Sequence, residues 1–390
     1  MDKSKKVNID MKQYGMVIAL IAIFLFFTYF SNGNNASPMN INNLIMQNGY
    51  VVILAVGMLL CVLTGYVDLG VGSIVALCGA TAAIIVVDFG LPVPVAFLAA
   101  IIVGLLVGVF EGFFIAKLGI PPFVVTLATM LMGRGLTYTV LKAQTKGPLP
   151  KSYTMIGAGF LPGMKITIGS ASLDLLSLVI AVTASVLIIL SEIKSRKIKI
   201  KHGFALIPVW QISIKVVAIL GILWFFLMKL ALYKGIPVVL VLLAVLVAIY
   251  HFITSRTVAG RQIYALGGNA NAAKLSGINT KRVFFWVYVN MGLLCGIAGI
   301  VLSARNASAT PKAGDGFEMD AMASCYIGGA ATSGGIGTVI GAVVGAFIMG
   351  ILNNGMSLIG WSTDIQKVVK GMVLLGAVTV DLVSKSKSNR

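Results

Sequence analysis

The sequence predicts an all-α protein, a polytopic bundle of membrane-spanning helices with about twelve crossings in a single domain over 1–390. Three observations predict it. Of the 390 residues 58% are hydrophobic and only 11% charged, where a soluble domain carries about 25% charged residues. The apolar residues fall into runs of about 20, the length needed to cross a hydrocarbon core of about 30 Å. More than half of the 30 Lys and Arg residues sit between those runs, in clusters at Lys3–Lys12, Lys194–Lys201, Arg256–Arg282 and Lys385–Arg390.

Taken in order, the apolar runs place spans at 14–30, 42–63, 72–88, 94–116, 122–141, 173–191, 209–228, 236–254, 283–304, 335–356 and 366–383. The first is not a cleaved leader, because no small-residue cleavage site follows Phe30 and a second span comes at once. Residues 319–333, MDAMASCYIGGAATS, are too short to cross at about 1.5 Å per residue and begin with Asp320. Charge parity nevertheless asks for a crossing there. With both tails and both basic loops on the cytoplasmic side, the number of crossings is even, so 319–333 is expected to be a short or broken helix. Backbone of that kind is tolerated at membrane depth only against protein or a water-lined cavity.

The positive-inside bias then puts both termini, the 192–206 loop around Arg196 and the 255–282 loop on the cytoplasmic face of the inner membrane. The polar loop 142–172, around Gly147, faces outward. The net charge of +18 follows from those loops; no interleaved aromatics or groove-sized basic stripe points to nucleic acid. Cys61, Cys78, Cys295 and Cys325 lie in apolar runs without CxxC spacing, and His202 and His251 have no ligand-spaced partners, so neither a metal nor any other cofactor is expected.

Glycines recur at spacing four in Gly104, Gly108 and Gly112 and in Gly337, Gly341 and Gly345. Such rows let helices approach closely in lipid, either within the chain or, second in order, against another copy. GVGSIVA at 70–76 and GIGTVIG at 335–341 match in type, an internal echo that either marks a repeat or follows from glycine content.

No phosphate-cradling GxxxxGK[ST], HExxH or GxSxG motif is present, which points away from an enzyme and, for uphill transport, to hydrolysis in another subunit. Charged residues within or beside the spans are few. Asp68 and Glu111 are two separated acids, thin support for a proton relay, and Arg134 between two glycines is either functional or a structural charge bonded to free carbonyls. Gln47, Asn48, Asn290, Asn353 and Asn354 offer donors and acceptors suited to a neutral, hydroxyl-rich solute, or else bind neighbouring helices. With Asp68 and Arg134 they are the candidate pathway residues.

The 255–282 loop carries five basic residues and no acid. Asn269 suits a helix N-cap and Gly277 a C′ position, which predicts a short helix between them. A tight turn would serve as a connector; a helix there is suited to docking on a partner, the alternative being a solvated loop.

The strings GRQIYALGGNANAAKLSGI, AGIVLSAR, AGDGFEMDAMA, IGGAATSGGIGTVIGAVVGA, ILNNGMSLIG and, earlier, LAVGMLLCVLTGYVDLGVGS resemble the permease subunits of bacterial monosaccharide ABC importers. The resemblance runs from about 41 to 383. The additional segment near 195–235 makes the chain look like the longer, xylose-type or multiple-monosaccharide members. Gly65-Tyr66-Val67-Asp68 departs from the Gly-Ile-Asp or Glu-Ile-Asp common there, though the Asp is kept. The resemblance implies a second copy of the chain, an ATPase subunit with two nucleotide-binding domains, and an extracytoplasmic sugar-binding protein. It also implies that Gly267, Gly268, Asn269, Ala272, Ala273, Lys274, Leu275, Ser276 and Gly277 form the helix that couples the permease to the ATPase. An ion-coupled sugar carrier is the alternative.

Overall fold

The computed structural model describes residues 11–168, 171–202 and 208–388. Lys3, Lys5, Lys6 and Arg390, expected in cytoplasmic tails, lie outside the described residues, as do 203–206 of the expected 192–206 loop. The described residues are mostly helical. The long helices are α1 (Met11–Phe30), α2 (Pro38–Leu63), α3 (Val71–Val87), α4 (Val93–Ala116), α5 (Pro122–Val140), α7 (Leu175–Lys201), α8 (Val209–Ala231), α9 (Val238–Arg256), α12 (Thr280–Asn306), α14 (Val339–Leu358) and α15 (Thr363–Ser388). Four short helices complete the set: α6 (Lys151–Ala158), α10 (Val258–Gly268), α11 (Ala270–Leu275) and α13 (Phe317–Ile327). Among the described residues eight helices are long and apolar enough to span a membrane. The expected twelve crossings additionally require α1, α3, α13 and α15.

Two compact units emerge. The smaller takes in 36–43 and 160–237, and the larger most of the remainder. In the smaller, α7 and α8 form a helical hairpin preceded by the antiparallel strands β1 (Lys165–Ile168) and β2 (Ala171–Asp174). Asp174 ends β2 and caps α7, its carboxylate accepting from the Ser177 amide at 2.8 Å and the Ser177 hydroxyl at 2.6 Å. The expected polar loop over 142–172 instead holds α6 and most of the β1–β2 hairpin. It also ended the span at 191, whereas α7 continues through the basic run to Lys201; Lys and Arg are good helix formers, and nothing breaks the helix where it meets water.

In the larger unit α2 is the most enclosed helix, 89% of its apolar window being buried. The glycine rows are resolved as intramolecular packing. Gly104, Gly108 and Gly112 of α4 lie against Gly292, Tyr288 and Phe285 of α12, and Gly341 and Gly345 of α14 lie against Gly328 and Ser324. A side chain at Gly104 would strike the Gly292 carbonyl, and one at Gly292 the Gly104 carbonyl, so each glycine admits the other's helix.

These contacts also set depths. Gly112 meets α12 at Phe285, Gly104 at Gly292 and Gly79 of α3 at Gly299, a climb of about 21 Å along α12 at about 1.5 Å per residue. Val71, eight residues before Gly79, therefore starts α3 about 12 Å short of that last level, near the middle of α12. The break 64–70 brings the chain up to it. From the other end, 307–316 turns back after α12 until Gly314 packs backbone to backbone on Gly72. Helix α13 starts from there and stops at Ile327, shorter than the expected 319–333. Residues 328–338 are irregular, and α14 starts at Val339 rather than 335, capped by Thr338. The echo between 70–76 and 335–341 is thus out of step: α3 begins one residue into its copy and α14 four residues into the other.

Candidate functional site

The irregular backbone at membrane depth is held by few groups. Arg134 Nη1 donates to the carbonyls of Pro311 at 2.9 Å and Ala313 at 2.6 Å. Its charge thereby satisfies acceptors that the returning segment leaves open. At the other break, Asp68 is fully buried and its Oδ1 accepts from the Gly70 amide at 2.8 Å. Glu111, also fully buried, is brought to the same place: a side chain at Gly70 would lie 3.0 Å from Glu111 Oε1 and 3.3 Å from Asp68 Oδ1. The two acids, separated by 43 positions, are therefore neighbours, which corrects the expectation of two separated acids.

The segment that Arg134 holds forms one wall of a cavity of about 390 Å³, within the span of small-molecule pockets of about 300–1,000 Å³. Helix α2 contributes Gln47 and Tyr50, the end of α12 Arg305 and Asn306, the segment itself Thr310 and Asp315, and α13 Phe317. Tyr50 and Phe317, which both line the cavity, stack on each other with ring centroids 4.2 Å apart and planes 17° from parallel. Lys367 Nζ lies 2.9 Å from Asp315 Oδ2, and the Asp315 carboxyl brings acceptor oxygens to the cavity. Arg305 adds a cationic donor set, and Gln47, Asn306 and Thr310 both donate and accept.

Near this cavity α13, α14 and α15 are tied through Asp320, which is 2% exposed. Lys370 Nζ lies 3.0 Å from Asp320 Oδ2, and Asn353 Nδ2 donates to the same oxygen at 3.3 Å. Of the residues singled out from sequence, Gln47 faces the cavity, Asn354 approaches Gln47 at 3.5 Å, and Asn353 and Arg134 support the cavity from behind. Asn48 is elsewhere: it is buried and its Nδ2 donates to Ala346 O at 2.8 Å, a bond between α2 and α14. Asn290 faces a different cavity, where it accepts from the Tyr250 hydroxyl. Tyr50, Arg305, Asp315, Phe317 and Lys370 were not singled out. Arg305, Asp315 and Phe317 stand in the strings AGIVLSAR and AGDGFEMDAMA that carried the resemblance, which was the signal available.

The basic loop holds two helices, not one. α10, amphipathic and missed in the sequence, lays Tyr264 against 328–338, its hydroxyl donating to Gly337 O at 2.7 Å. Burial raises the Tyr264 phenol above its ordinary pKa, so it stays protonated and a donor. Gly267 fits against the Leu63 carbonyl and the Gly335 amide, which are themselves bonded at 2.9 Å; any side chain there would collide with both. The loop is thus keyed to both membrane breaks at once. After it comes the expected short helix: Asn269 Oδ1 accepts from Ala272 N at 3.0 Å, and Gly277 is left-handed at φ +84°. Ala273 is buried beneath it, whereas Ala272 is exposed and Leu275 is 89% exposed.

A family described as branched-chain amino acid transport system / permease component matches residues 40–378. The chain belongs to this permease family. It is 37% identical to the xylose transport system permease protein XylH of Escherichia coli K12 over 98% of its own length and 94% of that protein's. Against XylH of Haemophilus influenzae the identity is 37% over 99% of this chain and all of the relative. The ribose import permease protein RbsC of Escherichia coli K12 is 32% identical over 95% and 94%. No solved structure matches. The family assigns the chain to membrane-embedded transport components, and the helical architecture accords with it.

Proposed function

We propose that this chain is the membrane-spanning subunit of an ATP-driven monosaccharide importer in the inner membrane, acting as a pair of copies with an ATPase subunit and an extracytoplasmic sugar-binding protein. What carries the reading is the likeness, over nearly the whole length of both chains, to permeases named for xylose and ribose transport. The cavity beside Tyr50 and Phe317 supports it, since an aromatic pair among donors and acceptors suits a small solute with both C–H and hydroxyl surface. The exposed Leu275 supports docking of the 269–277 helix on the ATPase. Through Gly267 and Tyr264 a push on that helix reaches both breaks, one of which leads through Gly72 and Gly314 to the cavity wall.

The juxtaposed Asp68 and Glu111 are the one observation that favours an ion-coupled carrier instead, and one experiment decides between them. The purified chain should hydrolyse no ATP. With its ATPase in liposomes, hydrolysis should rise when sugar-loaded binding protein is added, and uptake should require ATP. Sugar uptake by the chain alone under a proton or sodium gradient would overturn the importer reading.

The reading also fixes sidedness: Lys197 faces the cytoplasm and Thr145 the outside. Both are exposed, whereas a side chain at neighbouring Gly147 would crowd Ser308. On a background without the four native cysteines, an impermeant thiol reagent should label Thr145→Cys but not Lys197→Cys in intact cells. The reverse pattern would invert the orientation.

A further inference from the structure

A cavity of about 680 Å³ opens between α9, α10 and α12 at the end that carries the basic loop, and no step of the sugar pathway uses it. Its walls are mostly apolar, with Ile253, Val283 and Val287 among them and Gln262 and Asn279 as uncharged polar members, and Trp286 is 56% exposed. Arg282 lines it, and Arg256, Arg261 and Lys281 are exposed nearby in the sequence. Residues 255–282 contain no acid, and among the described residues none of these four cations has an ion-pair partner. Deeper in, the Tyr250 hydroxyl occupies the Asn290 carbonyl, and Asn290 Nδ2 is a buried donor with no acceptor among the described residues.

We propose that this cavity is a binding site for an anionic phospholipid of the leaflet on that side, its phosphate at Arg282 and its acyl region along Trp286, Val287 and Ile253. The chemistry is specific in three respects. A largely apolar cavity whose one charged lining residue is the cation Arg282 selects an amphiphile with an anionic head, as basic pockets at the ends of spans do. A half-exposed Trp at a span end marks the headgroup level. The buried Asn290 Nδ2, without an acceptor among the described residues, calls for an acceptor deep in the ligand, which acyl esters supply. The inference does not depend on which solute is carried.

The test uses the full chain in nanodiscs containing equal phosphatidylglycerol and phosphatidylcholine, with native mass spectrometry of the released protein. Phosphatidylglycerol should be retained in preference, and a large excess of inorganic phosphate should not displace it. Arg282→Gln should lower retention about fivefold, the effect of one basic residue at an anionic surface. Ala259→Trp, which fills the cavity from its exposed side without altering charge, should abolish retention, while Lys197→Gln in the other unit should leave it unchanged. Thermal midpoints matching wild type identify the variants as folded. Equal retention of the two lipids, displacement by phosphate, or unaltered retention in folded Ala259→Trp would each overturn the proposal.

Discussion

A permease carrying Ala272→Asp and Leu275→Asp should accumulate in the membrane at the wild-type level yet neither copurify with its ATPase nor take up sugar. The two positions are three apart and so share a helical face. That face points outward: Ala272 and Leu275 are exposed, while Ala273 of the same turn is buried against the chain's own loop. An isolated exposed Leu means little, but one on a six-residue helix whose cap, stop and seat are all fixed has the form of a knob for a partner's cleft. Two carboxylates there would enter that cleft unpaired, and burying even one unpaired charge costs several kcal/mol. The spans do not depend on this face, so insertion survives. Gly277→Val should weaken coupling less, because a β-branched residue resists φ +84° without charging the interface. Normal uptake by the double variant would reduce the helix to a solvated connector.

What could be read from the sequence here was mostly what is local. Runs of about 20 apolar residues located the long helices to within a few positions, since a span must satisfy its own backbone wherever it lies. Asn269 and Gly277 announced the short helix because capping chemistry acts over three or four residues. Short, mixed-polarity elements failed that test: α10 is an amphipathic eleven-residue helix in a basic loop, and the β1–β2 hairpin rests on four-residue strands. The extension of α7 to Lys201 failed for another reason, because hydropathy marks where lipid ends and not where helix ends. Least legible were the long-range meetings. Nothing local puts Glu111 beside Asp68, Tyr50 on Phe317, or Gly314 on Gly72; each depends on how deeply two broken helices enter the bundle. The polar residues singled out from sequence accordingly divided on orientation alone, with Gln47 turned to the cavity and its neighbour Asn48 bonded to α14.

The largest stability effect in the larger unit is expected at Lys370. Its ammonium is the only cation bonded to Asp320 among the described residues, and Asp320 is 2% exposed on a helix of eleven residues whose neighbours on both sides are irregular. Lys370→Met would leave that carboxylate buried with the Asn353 amide as its remaining side-chain donor, and breaking a buried pair from one side costs about 3–5 kcal/mol. Asp320→Asn should be milder, because Lys370 is 19% exposed and its long side chain can turn its charge toward solvent. The Asp320→Asn, Lys370→Met double variant has no charge left to bury, and should recover most of the thermal midpoint and membrane level lost in Lys370→Met. Uptake should follow the same order, since α13 carries Phe317 on the cavity wall and α15 holds α13 through this pair. If Lys370→Met proves no worse than Asp320→Asn, or the double variant no better than Lys370→Met, the pair is not what anchors α13.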